Sequence, residues 1–390
     1  MSGPTDPYSG REQTKAKHFL LKSYLQALAF KILRFSDLTY VDGFSGPWKT
    51  QTEDFADSSF KIAIAALMDA QQKIFEETQT RRKIGCFFSE SDPKVFAKLE
   101  HAVRPYHRPQ DGFEIKTYCG EFETAVTEIK AFVGNSFALI FIDPTGWTGY
   151  AFEKIKPVFA PRLCEVIINF MYGHVSRFIN SGDPDTIESL NPILGGPGWQ
   201  KRLDPSLPRG QALVKLFRES LKTAGNFAHV VATKIDKPTE DRPYFFMAYA
   251  TKDYAGLKTF RDNEFKALCV HAANRAHAKG RKKEAKSGVG DLFRDHDAGI
   301  QESSVTDEVE ADMQRAKPYV LEMAQRARVV KFSVIAAAAM ENYMLRETNV
   351  KDLMVQLAEE GKLENTWGGG RHKPSQETVI RIAQADRGPR

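Results

Sequence analysis

Six consecutive apolar residues, Phe137-Ala-Leu-Ile-Phe-Ile142, run directly into Asp143-Pro144, and this segment constrains the fold more than any other. An unbroken apolar run of strand length reads as a strand buried on both faces, as in the interior of a parallel sheet. Parallel neighbours need crossover connections, so helices should alternate with strands on either side. They do. An amphipathic helical segment spans 17–35, with Leu21, Tyr24, Leu25, Leu28 and Ile32 on one face. A strand over 37–42, a helix from Phe60 to Lys73 and a strand over 84–89 ending at Glu90 come next. Asp92-Pro93 reads as an N-cap and first-turn pair for a helix over 94–103. Strands are expected at 113–118, 166–170, 230–234 and 244–251, with a helix over 122–132. The pattern over residues 15–260 predicts a doubly wound, Rossmann-like α/β sheet.

Ligands of open α/β sheets sit outside the carboxyl ends of the strands, so the residues just past each strand are the candidate site. The first strand ends in Tyr40-Val-Asp-Gly-Phe-Ser-Gly-Pro47. Its glycines permit a sharp turn and close approach to a nucleotide-like cofactor, or a plain strand-to-helix turn with no ligand. Glu90 is placed to accept both ribose hydroxyls of an adenosine, or simply to begin a helical turn at the surface. Glu121 faces an adenine amine, or is a helix-start acid favoured by the dipole. Asp143-Pro144-Thr145-Gly146-Trp147 is the sharpest element. A carboxylate in a rigid turn can accept from an amine N–H while an indole covers a planar ring; the alternative is a simple turn with a packing tryptophan. An isolated charge beside a buried strand is costly without a task. Asn169 and Tyr172-Gly173-His174 should line the same cleft, and His174 is equally at home as an ordinary hydrogen-bonded histidine.

Other chemistries lack their residues. There is no phosphate loop G-x-x-x-x-G-K-[ST], no H-E-x-x-H, no G-x-S-x-G elbow and no G-x-G-x-x-G. Four scattered cysteines (Cys86, Cys119, Cys164, Cys269) without a C-x-x-C or Cys/His cluster predict reduced thiols and no metal centre. The first residues lack the basic-then-apolar profile of a signal peptide, and no apolar run approaches a membrane span, so a cytoplasmic protein with no membrane partner is expected.

Beyond residue 262 the character changes. Residues 274–287 carry six Lys/Arg against one Glu, and 295–312 carry seven Asp/Glu and no Lys/Arg. Such blocks predict a solvated or partly disordered connector over 263–314, separating an α/β domain (1–262) from a C-terminal unit (315–390). In that unit, helices near 317–328, 333–340 and 349–360 precede a glycine-rich basic tip, 367–373, and a strand-like segment, 378–382. This is the outline of a winged helix. Arg281, Lys282 and Lys283 in the basic run, and Arg371 and Lys373 at the tip, are the candidate nucleic-acid contacts.

Together, Lys17-His18-x-x-Leu21-x-x-Tyr24-Leu25, Tyr40–Pro47, Phe88-Ser-Glu90, Phe141-Ile-Asp-Pro-Thr-Gly146, Val166–Tyr172 and Tyr244–Thr251 resemble the three-Cys-motif partner (TcmP) family, with methyltransferase-like folds. The family's name refers to cysteines in a neighbouring partner protein that resembles radical S-adenosylmethionine enzymes. More remotely, the layout is similar to class I adenine-N6 methyltransferases, in which a Lys-His segment, an F-x-G loop and an Asp-Pro-Pro-aromatic loop act together. Here Asp-Pro-Thr-Gly-Trp has one residue inserted, the first loop lacks the second glycine, and Asp57-Ser-Ser-Phe60 replaces the usual Gly-Ser-Pro-like stretch. The resemblance implies a class I methyltransferase-like sheet and S-adenosylmethionine as cofactor. Asp42, Gly43, Phe44 and Gly46 would form its loop, Glu90 would hold the ribose, Glu121 would sit near the adenine and Lys17 would pair with the methionine carboxylate. Asp143 would orient an acceptor amine, Pro144 shape the loop and Trp147 stack, on DNA or RNA. The alternative is a methyltransferase-like module that has lost catalysis and holds a partner.

Overall fold

The computed structural model describes residues 8, 10–46, 55–178, 183–287, 294–368 and 372–383. The chain begins α1 (Glu12–Ile32), β1 (Leu38–Asp42), α2 (Ser59–Thr78), β2 (Ile84–Glu90), α3 (Pro93–Val103), β3 (Phe113–Cys119), α4 (Val126–Val133) and β4 (Phe137–Ile142). It continues α5 (Phe152–Phe159), β5 (Cys164–Phe170), α6 (Tyr172–Phe178), α7 (Pro184–Ser189), α8 (Arg209–Gly225), β6 (His229–Asp236) and β7 (Pro243–Thr251). Two long helices, α9 (Tyr254–Ser287) and α10 (Arg294–Ala327), lead to β8 (Val330–Lys331), α11 (Phe332–Asn342), α12 (Glu347–Glu359) and β9 (Val379–Ile380).

The sheet order is β3-β2-β1-β4-β5-β7-β6, with β1 to β5 parallel and β7 antiparallel to both its neighbours. All six residues of β4 are buried, as their composition requires. One face of the sheet carries α1, α2, α3 and α9, the other α4, α5 and α8, so the sheet is doubly wound. Local signals act where expected: Asp92 Oδ1 accepts from the Lys94 and Val95 amides at 2.8 and 3.1 Å, capping α3. Winding reverses between β1 and β4, which opens a crevice at their carboxyl ends.

Among the described residues the expected connector is helical, in α9 and α10, and its residues 288–293 lie outside them. The sequence boundaries at 262 and 314 fall inside α9 and α10. Charge content misled because the small residues Ala267, Ala276, Ala278 and Gly280 lie buried along α9, and counter-charges meet its cations. Arg275 and Lys279 reach Asp241 at 2.6 and 2.9 Å, and Arg281 pairs with Glu12 of α1. Nor are the two cores separate. Val309, Met313, Val320, Phe332, Ile335, Leu353 and Ile380 belong to the same apolar cluster as α1 and β1. Arg261, 5% exposed, donates through Nε to the Met340 carbonyl at 2.9 Å. In the tail, β8 and β9 pair antiparallel and Leu363 bridges Ile382 beside α10, α11 and α12. Among the described residues, no helix is long and apolar enough to cross a membrane.

Candidate functional site

Strand register sets the site. Asp42 is level with Phe141, and Ile142 with Ile168, so Asp143 and Asn169 leave adjacent strands side by side next to the β1 loop. That loop is held from within: the Gly43 amide donates to Phe141 O at 3.0 Å, and Ser89 Oγ to Gly43 O at 2.9 Å. Asp42 is fully buried and accepts from the Phe44 amide at 3.1 Å and Ser59 Oγ at 2.8 Å. Burial pushes its carboxyl up to about 6, against the pull of those donors. Asp42 is therefore a loop anchor. Gly43 is required for packing, because a Cβ there would stand 2.8 Å from the Phe122 ring.

Beside this loop lies a cavity of about 440 Å³. Its walls include Lys17, Phe44, Gly46, Asp143, Pro144 and Asn169, with Arg11 at the N-cap of α1 and Gln13, Thr14 and His18 from its first turns. Met171, His174, Tyr244 and Phe245 close the far side. Lys17 Nζ meets Asp143 Oδ2 at 2.5 Å, and Asn169 Nδ2 donates to Asp143 Oδ1 at 2.7 Å. Arg11 pairs with Asp57 at 2.8 Å at the rim. His18 is held down to about 3, chiefly by burial and then by Lys17, so it is neutral at ordinary pH. Its Nδ1 lies 3.1 Å from the Tyr8 hydroxyl. Burial, then Arg177, also lowers His174.

The expected residues do not all converge on the cavity. Lys17, Phe44, Gly46, Asp143 and Pro144 share the cavity, with Asn169 and His174. Glu90 is buried at the end of β2, its Oε1 taking the Asp92 amide at 2.8 Å, outside the cavity walls. Glu121 is exposed beyond β3. Trp147 does not line the cavity: its Nε1 donates to Ser189 Oγ at 2.9 Å and its ring packs on the opposite apolar cluster. Tyr172 likewise turns away, edge-on to Phe246 at 5.3 Å. Arg11 and Gln13 were missed. Arg11 is the N-cap of α1 and Gln13 lies in its first turn, and the Gln13–Lys17 spacing of one helical turn was the available signal.

Of the proposed polyanion contacts, Arg281 is committed to Glu12, and Lys282 lies 3.3 Å from Thr239 Oγ1. Lys283 is exposed, Lys373 pairs with Asp352, and Arg371 lies outside the described residues. A larger groove of about 1060 Å³ runs between α8, the β6–β7 edge and α11, but its cations face anions: Lys215 meets Asp204 at 2.7 Å and Lys222 meets Glu341 at 3.3 Å.

No family model matches the chain. No curated protein matches it either. Among solved structures, a protein from Legionella pneumophila str. Philadelphia 1 aligns with a TM-score of 0.36 at 11% identity, covering 63% of this chain and 86% of that one. Loganic acid methyltransferase with SAH aligns with a TM-score of 0.32 at 11% identity, covering 79% and 92%. Likenesses this slight carry no functional argument, which falls to the sheet order and the site.

Proposed function

We propose that this chain is an S-adenosylmethionine-dependent methyltransferase whose acceptor is an amine on a nucleic acid. The observation that carries the reading is the Lys17–Asp143–Asn169 cluster at the winding reversal of the sheet. The order β3-β2-β1-β4-β5-β7-β6 with β7 antiparallel is the arrangement expected of a class I methyltransferase-like sheet. The residues that would hold the cofactor are the Phe44–Gly46 turn and the Lys17 ammonium in the cavity wall, the latter as the cation for a carboxylate, and the buried Glu90 carboxylate, outside that wall at the end of β2, as acceptor for the ribose hydroxyls. When bound, S-adenosylmethionine supplies an electrophilic methyl group on a sulfonium sulfur that leaves as a neutral thioether. Asp143 would accept an amine N–H, hold the nitrogen in line and take up the released proton at its carboxylate. Methyl transfer depends mostly on such positioning. Phe44, His174, Tyr244 and Phe245 line the cavity and would flank a planar group.

Support for a polyanionic acceptor comes from the rim. The basic end of α9 is tied to the start of α1, which lines the cavity, by the Arg281–Glu12 pair. The tail, with its three helices and short antiparallel ladder, suits a winged-helix-like role in the same contact. A base within a duplex would have to flip out to enter. Calorimetry with S-adenosylmethionine and S-adenosylhomocysteine, followed by transfer of labelled methyl to DNA and RNA, tests the reading. Binding of neither ligand would sink it. Lys283→Ala together with Lys286→Ala should reduce the salt dependence of nucleic-acid binding.

The second reading is a methyltransferase-like module that has lost catalysis and docks a protein, including a three-Cys-motif partner resembling radical S-adenosylmethionine enzymes. One observation favours it: Lys17 already neutralises the carboxylate that catalysis would use. Cofactor binding without methyl transfer, alone or with such a partner, would select it.

A further inference from the structure

Asn169 is 2% exposed, and its carboxamide orientation is set by what its nitrogen does. Nδ2 donates to Asp143 Oδ1 at 2.7 Å and lies 3.3 Å from Met171 Sδ. The other branch, Oδ1, is buried and has no hydrogen-bond partner. A buried acceptor without a donor is unfavourable, and here it belongs to a residue of the cavity wall, beside the carboxylate that residue supports. Gln13 Oε1, in the same wall, is a second buried acceptor without a partner. At Asp143 the donors are the Lys17 ammonium on Oδ2 and Asn169 Nδ2 on Oδ1, and neither reaches the Asn169 carboxamide oxygen.

We infer that Asn169 is a positioning residue that accepts one N–H of a primary amine while Asp143 accepts the other, with the Lys17 ammonium occupying the donor's place until the amine enters. This rests on the methyltransferase reading for its consequence, but the recognition itself concerns only the chain's own acceptors. A hydroxyl has one hydrogen to give and satisfies one of the two oxygens. A carboxylate or phosphate has no N–H to give to either oxygen. A tertiary amine has no N–H to offer. The cavity thus selects an exocyclic –NH2, and the preference falls as methyl groups replace its hydrogens.

Calorimetry on the full chain, with and without S-adenosylhomocysteine, separates the two claims. The probes are adenosine and cytidine, each against its N,N-dimethylated analogue. At least one parent nucleoside is expected to bind ten-fold or more tighter than its dimethyl form. Asn169→Leu should bring that ratio to within about two-fold without changing affinity for the dimethyl form. If Asn169→Leu does not fold, Asn169→Ser, too short to reach the amine, carries the same expectation. Equal binding of parent and dimethyl forms, no binding of either nucleoside, or an unchanged ratio in the variant overturns the inference. Failure of S-adenosylhomocysteine to bind removes the cofactor reading alone, because the nucleoside ratio is read without it.

Discussion

Lys17 and Asp143, 126 positions apart in the sequence, meet at 2.5 Å with only 12% and 15% of their side chains exposed. The family resemblance gave them separate partners, the methionine carboxylate and the acceptor amine. In the folded chain each is the other's partner. The ammonium keeps two further N–H groups and the carboxylate further lone pairs, so a ligand can engage either one beside the pair.

Asp143→Ala should abolish methyl transfer while leaving affinity for S-adenosylhomocysteine within a few-fold of the parent. The carboxylate faces Asn169 and Lys17, while the ribose is assigned to Glu90 on another strand. Single-turnover transfer and calorimetry on the same preparation check both halves. Full turnover in Asp143→Ala would make the turn purely structural.

Glu90→Ala should weaken the cofactor. Losing a charge-assisted hydrogen bond to a ribose hydroxyl costs about 1.5–3 kcal/mol, equivalent to roughly 10- to 150-fold in affinity. Part of the change will be structural, since Glu90 Oε1 also holds the Asp92 amide at 2.8 Å. Glu90→Gln keeps an acceptor there and should recover folding but not full affinity. Unaltered binding in both variants would place the ribose elsewhere.

These assignments show what could be read in advance. Strand ends were legible because buried parallel strands are written as apolar runs, and Phe137–Ile142 fixed where Asp143 would emerge. Side-chain direction was not legible. Trp147 is four residues past Asp143, yet it bonds Ser189 and turns from the cleft, which depends on where α7 packs. The α9–α10 region misled because helix-forming small residues were hidden among charges whose partners, Glu12 and Asp241, are distant in sequence. The tail's helices were visible, but their fusion to the main core was not, since it depends on contacts such as Arg261 with Met340 O.

A buried acid on β5 gives a pH-dependent prediction. Glu165 accepts from Tyr24 at 2.5 Å and from Thr251 Oγ1 at 3.1 Å, and burial pushes its carboxyl up to about 7. A folded pKa above the unfolded one gives stability that is full below the unfolded value and lost as pH rises through about 7. Relative to Glu165→Gln, the parent should lose stability between about pH 4.5 and 7, with a slope of at most about 1.4 kcal/mol per pH unit. Urea melts of both proteins across that range give the difference directly. Parallel curves would show that the carboxyl is not displaced upward in the fold.

Gly256, at the start of α9, tests the same cluster by volume. A Cβ there would stand 2.3 Å from Glu165 Oε1, 2.5 Å from Thr251 Oγ1 and 2.6 Å from the Tyr249 hydroxyl. These atoms are buried and bonded to one another, so they cannot yield cheaply. Gly256→Ala should destabilise by about 1–3 kcal/mol, the range for overpacking, despite alanine's better helix propensity. A variant at least as stable as the parent in denaturant would contradict the packing around Glu165.

The tail should prove inseparable from the sheet. Glu341, at the end of α11, takes His229 Nδ1 at 2.6 Å and Lys222 Nζ at 3.3 Å, and its carbonyl accepts from Arg218 at 2.8 Å. Removing residues 328–390 would strip Arg218 and Arg261 of these carbonyls and uncover the apolar side chains of α10, among them Met313 and Val320. The truncated chain should therefore melt at a lower temperature and bind a dye for exposed apolar surface. Glu341→Ala is the finer probe, because it removes the carboxylate but leaves both backbone acceptors in place. Its cost should be about 1–3 kcal/mol, that of unpairing partly buried polar groups. A truncation that melts like the parent would restore the flexible connector the sequence suggested.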